Sequence, residues 1–442
     1  MEMGTLSFLL AQIDLSDALS EIGGARIVTG VSMLIHIFFA ELFVGFAIAA
    51  PVLEAWGAKT GSPRMDRLAQ SMTRFNVVTF STGATFAVLF LVLLVGLYPQ
   101  VTASLFTHFF YLIVLAMLSM GLTLWGMYTY YYKWDKYAVL HKGRHIAFGF
   151  TMGFFIWIWM VIMSGIDTFM VTGGGGAPTI TEGNIASFTA SVQGLFNPMF
   201  TEMVLHRTFA NLSWPAFALA AWAAFMYIRS KTEAQRSFYD WASSVGLSWG
   251  VGFLLLQPIV GFAIVYAMKT SAPENAVAGA EGGAYARLTS GESSGILYTN
   301  LVLVVVLFVL GCVAMYLGAE RHPDRSGQVP IRFFALVAAV AGIYSISPLA
   351  DFPFLYMRYI MMLVMVLATL GAFVTYMRGR LRFKYGSPSF GYRAILMGLG
   401  VLAAVVALNM GFMKSNSRVP FTVYNEPNFT VEPSPPPESF GQ

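Results

Sequence analysis

The chain has 442 residues, of which 57% are hydrophobic and 11% charged, and its formal net charge is +4. Soluble domains are about a quarter charged, so this composition cannot supply the polar shell that a soluble fold of this length needs. The single cysteine, Cys312, excludes an internal disulfide and any site built on several thiolates. The small net charge gives no indication of a nucleic-acid partner.

The hydrophobic residues form blocks of about 20 residues, the length a helix needs to cross a bilayer. Lipid offers the backbone no hydrogen-bond partner, so these blocks are predicted to be helices. We therefore predict an all-α, polytopic membrane helix bundle with about ten transmembrane helices. The predicted spans are roughly 26–54, 72–98, 104–132, 146–171, 198–228, 242–268, 297–318, 331–347, 353–377 and 391–413.

Most of the 26 Lys and Arg residues fall in alternate connections between these spans, for example in the stretches 59–74 and 378–393. The positive-inside rule places those connections in the cytoplasm, so both termini are predicted to lie outside. The protein is accordingly expected to be a multi-pass protein of the inner, cytoplasmic membrane of the cell.

The regions outside the spans have distinct compositions. Residues 1–25 are predicted to form an outer-surface segment rather than a cleavable signal peptide, because acidic residues interrupt their apolar pattern. The outer loop at 269–296 is short. The tail at 414–442 is rich in proline and is predicted to be extended, extracytoplasmic and in contact with a partner subunit.

Three of the six histidines lie inside predicted spans: His36, His108 and His206. At about 1.5 Å per residue, all three fall in the outer half of the membrane. An ionisable side chain there is costly and is a functional candidate by default. Three imidazoles at related depth are typical of haem iron ligands. The alternative is that each imidazole hydrogen-bonds a neighbouring helix.

Four carboxylates also lie in or near the spans: Glu41, Glu202, Asp167 and Asp351. Glu41 follows His36 by five residues and is placed to handle a proton or a haem propionate. Arg207 directly follows His206, and its charge is placed to meet a propionate. Ion pairing with Arg207 or Arg358 is an equally weighted alternative for the carboxylates.

A second histidine pair, His141 and His145, begins the fourth span on the cytoplasmic side. The four-residue spacing is compatible with metal binding. A basic interfacial loop is the interpretation we favour for this pair.

The order and spacing of several motifs resemble subunit I of the cytochrome bd family of quinol oxidases. The matching features are His36 within the first span, the stretch 72–83, Trp134-Asp135, Ser164-Gly165, and Asn197-Pro198 followed by His206. The resemblance covers residues 20–230 well and 240–378 by topology only. It implies that 26–230 holds haem-binding helices 1–5 and that 231–378 holds helices 6–9. Residues 379–413 then form an additional helix 10.

The resemblance also implies a cofactor, a substrate and partners. His206 and His36 would each ligate a haem b, giving one or two haems, with His108 a candidate for the second axial ligand of the His206 haem. Quinol would be the electron donor. Other membrane subunits of a respiratory complex, a subunit II-like protein or a cytochrome c, would be partners within the lipid bilayer.

Four family residues, which serve the haem sites and the proton route, have no counterpart in this sequence. The third span has apolar residues and Thr123 where the family has two glutamates, and Tyr298 begins a stretch without the family's methionine ligand. No glutamate stands near 344–348. The chain is therefore predicted to be quinol oxidase-like but to pass electrons to a protein partner rather than to oxygen. A proton- or ion-conducting transporter and a haem-free membrane anchor subunit are the alternatives.

Overall fold

The computed structural model describes residues 24–172, 185–271, 283–289, 294–324, 328–352 and 356–416, and every regular element within these ranges is helical. The predicted segments at 1–25 and 414–442 lie outside the described residues, apart from their junctions with the first and last helices. The helices are α1 (Ala25–Thr60), α2 (Pro63–Leu97), α3 (Pro99–His108), α4 (Phe110–Tyr132), α5 (Trp134–Leu140), α6 (Lys142–Thr172), α7 (Phe188–Leu195), α8 (Phe200–Arg229), α9 (Glu233–Leu254), α10 (Gln257–Ser271), α11 (Gly283–Thr289), α12 (Ser294–Gly318), α13 (Val329–Ile346), α14 (Met357–Arg380) and α15 (Phe390–Asn416).

Ten helical stretches within the described ranges are long and apolar enough to cross a membrane. They are α1, α2, α4, α6, α8, the pair α9 and α10, α12, α13, α14 and α15. This confirms the predicted polytopic helix bundle. An even number of crossings returns the chain to the side on which it started, and the assignment of that side to the exterior stays a prediction.

Two of the predicted spans are interrupted. The span predicted at 104–132 is divided at Phe109, so that α3 ends at His108 before α4 begins. The sixth span breaks at Leu255 and Leu256, just before Pro258, which lacks the N–H needed to continue the hydrogen-bond ladder. These breaks place non-helical backbone within or beside the bundle.

Helices α1 and α8 lie at the centre of the bundle. Helix α8 contacts α1, α6, α9, α10 and α15, and α1 also contacts α2 and α6. A Cβ atom added to Gly45 of α1 would lie 2.1 Å from the Asn211 carbonyl oxygen of α8, so the two backbones cross almost in contact. Small residues allow such close approach where apolar side chains gain little by leaving lipid.

The tenth span, α15, is part of the bundle. It packs against α8 and α12, and its Leu396 and Leu399 are fully buried. Helix α2 instead exposes most of its apolar surface, where lipid or other subunits would lie. The described part of the predicted outer loop at 269–296 includes the short helix α11.

Candidate cofactor-binding site

His36 contacts the neighbouring helix through one ring nitrogen. Its Nδ1 atom lies 3.0 Å from the carbonyl oxygen of Gly83 on α2. A carbonyl only accepts hydrogen bonds, so Nδ1 carries the hydrogen and Nε2 of the neutral ring keeps its lone pair. Nε2 has no hydrogen-bond partner among the residues the structure describes, and the ring is half-buried. Metal-binding histidines commonly show this arrangement.

Glu41 connects α1 to α8. The indole Nε1 of Trp214 donates a hydrogen bond to Oε2 of Glu41 at 2.8 Å. The ring of Phe38 lies against the same indole, with 5.3 Å between the centroids. The carboxylate predicted from sequence is therefore held in place by an aromatic donor inside the membrane span.

His206 lies on α8 and is half-buried. Its backbone carbonyl accepts a hydrogen bond from Nε2 of Gln257 at 3.2 Å, which joins α8 to the start of α10 beside the break in the sixth span. No hydrogen bond to the His206 imidazole is formed by any side chain in the described part of the chain. The ring therefore has capacity for a ligand.

Arg207 extends towards α6. Its Nη1 donates to the Ser164 hydroxyl at 3.2 Å and lies 3.6 Å from the Asp167 carboxylate. The guanidinium also lies within electrostatic range of both Glu41 and His36. The ion-pair interpretation thus applies to Asp167, and Arg207 brings the candidate residues of α1 and α8 into one region.

The other carboxylate predicted near an outer span end is also paired. Asp351 lies 3.3 Å from Nη2 of Arg358. This contact is at the surface and is distant in sequence from the region around His36.

The connection before α8 is fixed by Asn197. Its side-chain amide donates to the carbonyl oxygens of Gly165, Gly194 and Leu195 at 3.0–3.2 Å, and its Oδ1 accepts from the Met199 amide. Two of the sequence pairs noted above, Ser164-Gly165 and Asn197-Pro198, are therefore in direct contact. This contact fixes the start of α8 relative to α6, and it thereby fixes the position of His206 on α8.

His108 lies at the end of α3. It is almost fully buried, and its ring stacks on Phe169 with 5.0 Å between centroids. The Ser191 hydroxyl donates to its carbonyl. A Cβ atom at Gly194 would lie 2.7 Å from Nε2 of His108, so the backbone of α7 covers that nitrogen. Iron ligation by His108 stays a prediction, and it would require α7 to move.

A buried network on the predicted cytoplasmic side was missed by the sequence interpretation. His145 is fully buried, and its Nδ1 lies 2.8 Å and 2.9 Å from the two carboxylate oxygens of Glu54. Lys142 lies 2.9 Å from both Glu54 and Asp66. The prediction that His145 belongs to an interfacial loop is wrong, whereas His141 is exposed as expected.

No group of three His, Cys, Asp or Glu side chains within the described ranges is arranged to hold a metal ion directly. A porphyrin supplies most of the ligands of its iron, so a haem needs only an axial side chain from the protein. The Nε2 atom of His36 and the imidazole of His206 meet that requirement. The donor set therefore fits haem better than a metal ion bound by protein alone.

Comparisons with known proteins give a likeness at the level of the fold. No protein-family profile matches the chain, and no curated protein matches it. Among solved structures, it is similar to a chain of the bd oxidase from Geobacillus thermodenitrificans, with a TM-score of 0.52 and 15% identity. The match covers 89% of this chain and 97% of that one. At this identity the likeness shows a bd oxidase-like fold, as predicted, and no more than the fold.

Proposed function

We propose that this chain is a haem b subunit of a respiratory electron-transfer complex in the membrane, and that it takes electrons from quinol. The observation that carries the proposal is the His36 geometry. Its Nδ1 is engaged by the Gly83 carbonyl, and its Nε2 lone pair has no partner among the described residues. The bd oxidase-like fold and the second half-buried imidazole, His206, support it.

Each candidate residue has a distinct role in this proposal. His36 and His206 would each hold the iron of one haem b. Arg207, oriented by Ser164 and Asp167, supplies positive charge for a propionate. Glu41, oriented by Trp214, would accept a proton or share one with a propionate. A bound haem would supply one-electron chemistry, and the helices would supply orientation and a low dielectric constant.

The electron acceptor in this proposal is a protein partner, such as a cytochrome c or another subunit, docked on the outer face. The two glutamates of the bd family's third helix have no equivalent around Thr123, and the glutamate of its oxygen-reducing site has none near 344–348. Replacing an iron ligand requires both charge and geometry, and its outer-shell partners matter as well. The proposal is therefore quinol-dependent electron transfer without rapid oxygen reduction.

The direct test is a visible absorption spectrum of the purified complex, reduced first by a quinol analogue and then by dithionite. The proposal predicts a b-type α-band with both reductants. An α-band that appears only with dithionite would remove quinol from the proposal. A folded complex with no α-band would contradict the haem assignment and favour the transporter or haem-free anchor.

A further inference from the structure

Gly83 of α2 lies directly opposite His36 of α1, and its carbonyl is the acceptor for Nδ1 of the imidazole. We propose that Gly83 is a positioning residue, which fixes the hydrogen of His36 at Nδ1 and directs the Nε2 lone pair towards a haem iron. This inference rests on the proposed function. It adds Gly83, on a second helix, as a residue that controls the tautomer and the lone-pair direction of His36.

The contact depends on the absence of a side chain at position 83. Gly83 is buried, and a Cβ atom placed there would lie 3.0 Å from the Cβ of Phe39 on α1. The Cβ of Phe39 is bonded to the helix backbone and cannot rotate away. An added methyl group would therefore push α1 and α2 apart at the level of His36.

Aromatic contacts one to three turns away hold the two helices in register. Phe43 packs on Phe80 and Phe46 on Phe75, each with 5.5 Å between ring centroids. These contacts do not involve Gly83. A substitution at Gly83 should therefore act locally, by lengthening the hydrogen bond of His36, while the remainder of the α1–α2 pair stays packed.

The hydrogen bond changes the basicity of His36 as an iron ligand. Donation from Nδ1 to a carbonyl oxygen makes the imidazole a stronger base at Nε2, which favours the ferric state of a bound haem. Lengthening this bond weakens that preference. The midpoint potential of the haem bound through His36 should then become more positive, although the haem itself is retained.

The experiment compares Gly83→Ala and Gly83→Val with wild type by spectroelectrochemical titration of the α-band. Gly96→Ala is the matched control, because it lies on the same helix and an added Cβ there meets nothing within 4 Å. We expect a positive shift for the Gly83 variants, larger for valine, with unchanged haem content, and no shift for Gly96→Ala. An unchanged midpoint potential in both Gly83 variants would overturn the proposal.

A second measurement separates this inference from the proposed function. In haem-depleted protein labelled with 15N-histidine, the His36 resonances, assigned by their loss in His36→Ala, should show hydrogen at Nδ1 only. Gly83→Ala should introduce the other tautomer, and a mixture of tautomers already present in wild type would overturn the positioning role. If His36→Ala instead keeps its full haem content, ligation by His36 is wrong whatever the tautomer result.

Discussion

Oε2 of Glu41 on α1 accepts a hydrogen bond from Nε1 of Trp214 on α8, at 2.8 Å, although the two residues are 173 positions apart in the chain. The bond lies between the two central helices of the bundle, close to the crossing at Gly45 and Asn211. A carboxylate in a membrane span is expensive unless it is paired or hydrogen-bonded. The indole therefore both stabilises the helix pair and determines where the charge of Glu41 is located.

Trp214→Phe should destabilise the protein by about 1–3 kcal/mol, because it leaves Oε2 of Glu41 without this donor. Thermal unfolding in detergent measures the loss. Trp56→Phe is the control, since Trp56 lies on α1 and its side chain is 61% exposed. Equal unfolding temperatures for the two variants would show that the indole donor contributes nothing.

Gly45→Ala should disturb the crossing of α1 and α8. Overpacking costs about 1–3 kcal/mol in soluble cores, and the opposing atom here is a backbone oxygen that cannot move independently of its helix. Gly30→Ala, on the same helix with open space around the added methyl group, should be harmless. The unfolding temperatures of the two variants are measured in parallel, and that of Gly45→Ala should be the lower. An unchanged unfolding temperature for Gly45→Ala would mean that the helices do not approach this closely.

Glu54→Gln should be among the most damaging single substitutions in the described chain. It removes the carboxylate that lies against both His145 and Lys142 and leaves the fully buried His145 without its carboxylate partner, at a cost of about 3 kcal/mol, whereas Lys142 keeps Asp66. The exposed His141→Gln is the matched control for the histidine side of the network. Expression level and thermal stability in detergent report the effect, and a Glu54→Gln protein as stable as wild type would contradict it.

The ten spans were predictable from sequence, because hydrophobic length is a local signal. The depth of His36 and His206 in the membrane stays a prediction, and the partners of these residues were not predictable. The acceptor of His36 is a glycine carbonyl 47 residues away, and the carboxylate facing His145 is 91 residues away. Neither a backbone oxygen nor a glutamate at a span end stands out in the sequence.

The helix breaks were also missed. The interruption at Phe109 falls in a predominantly apolar stretch without proline, so the hydropathy pattern predicted one continuous span. The packing of α7 against His108 determines that end of α3, through contacts from residues more than 80 positions later. Such contacts exist only once the bundle has formed.

Oxygen consumption tests the predicted electron acceptor. With a reduced quinol analogue, the purified complex should take up oxygen slowly, while stopped-flow absorbance shows rapid haem reduction. Addition of an oxidised cytochrome c should then reoxidise the haem. Rapid, cyanide-tolerant oxygen uptake would mean that other residues replace the missing ligands and that the chain acts as an oxidase.

Haem content per chain in a set of histidine variants tests whether His36 and His206 hold haem. Wild type, His36→Ala, His206→Ala and the exposed control His141→Ala are purified with their partners and assayed by pyridine haemochrome, with folding checked by circular dichroism. We expect His36→Ala and His206→Ala each to lose about one haem b and His141→Ala to lose none. Full haem content in well-folded His36→Ala and His206→Ala proteins would contradict this expectation.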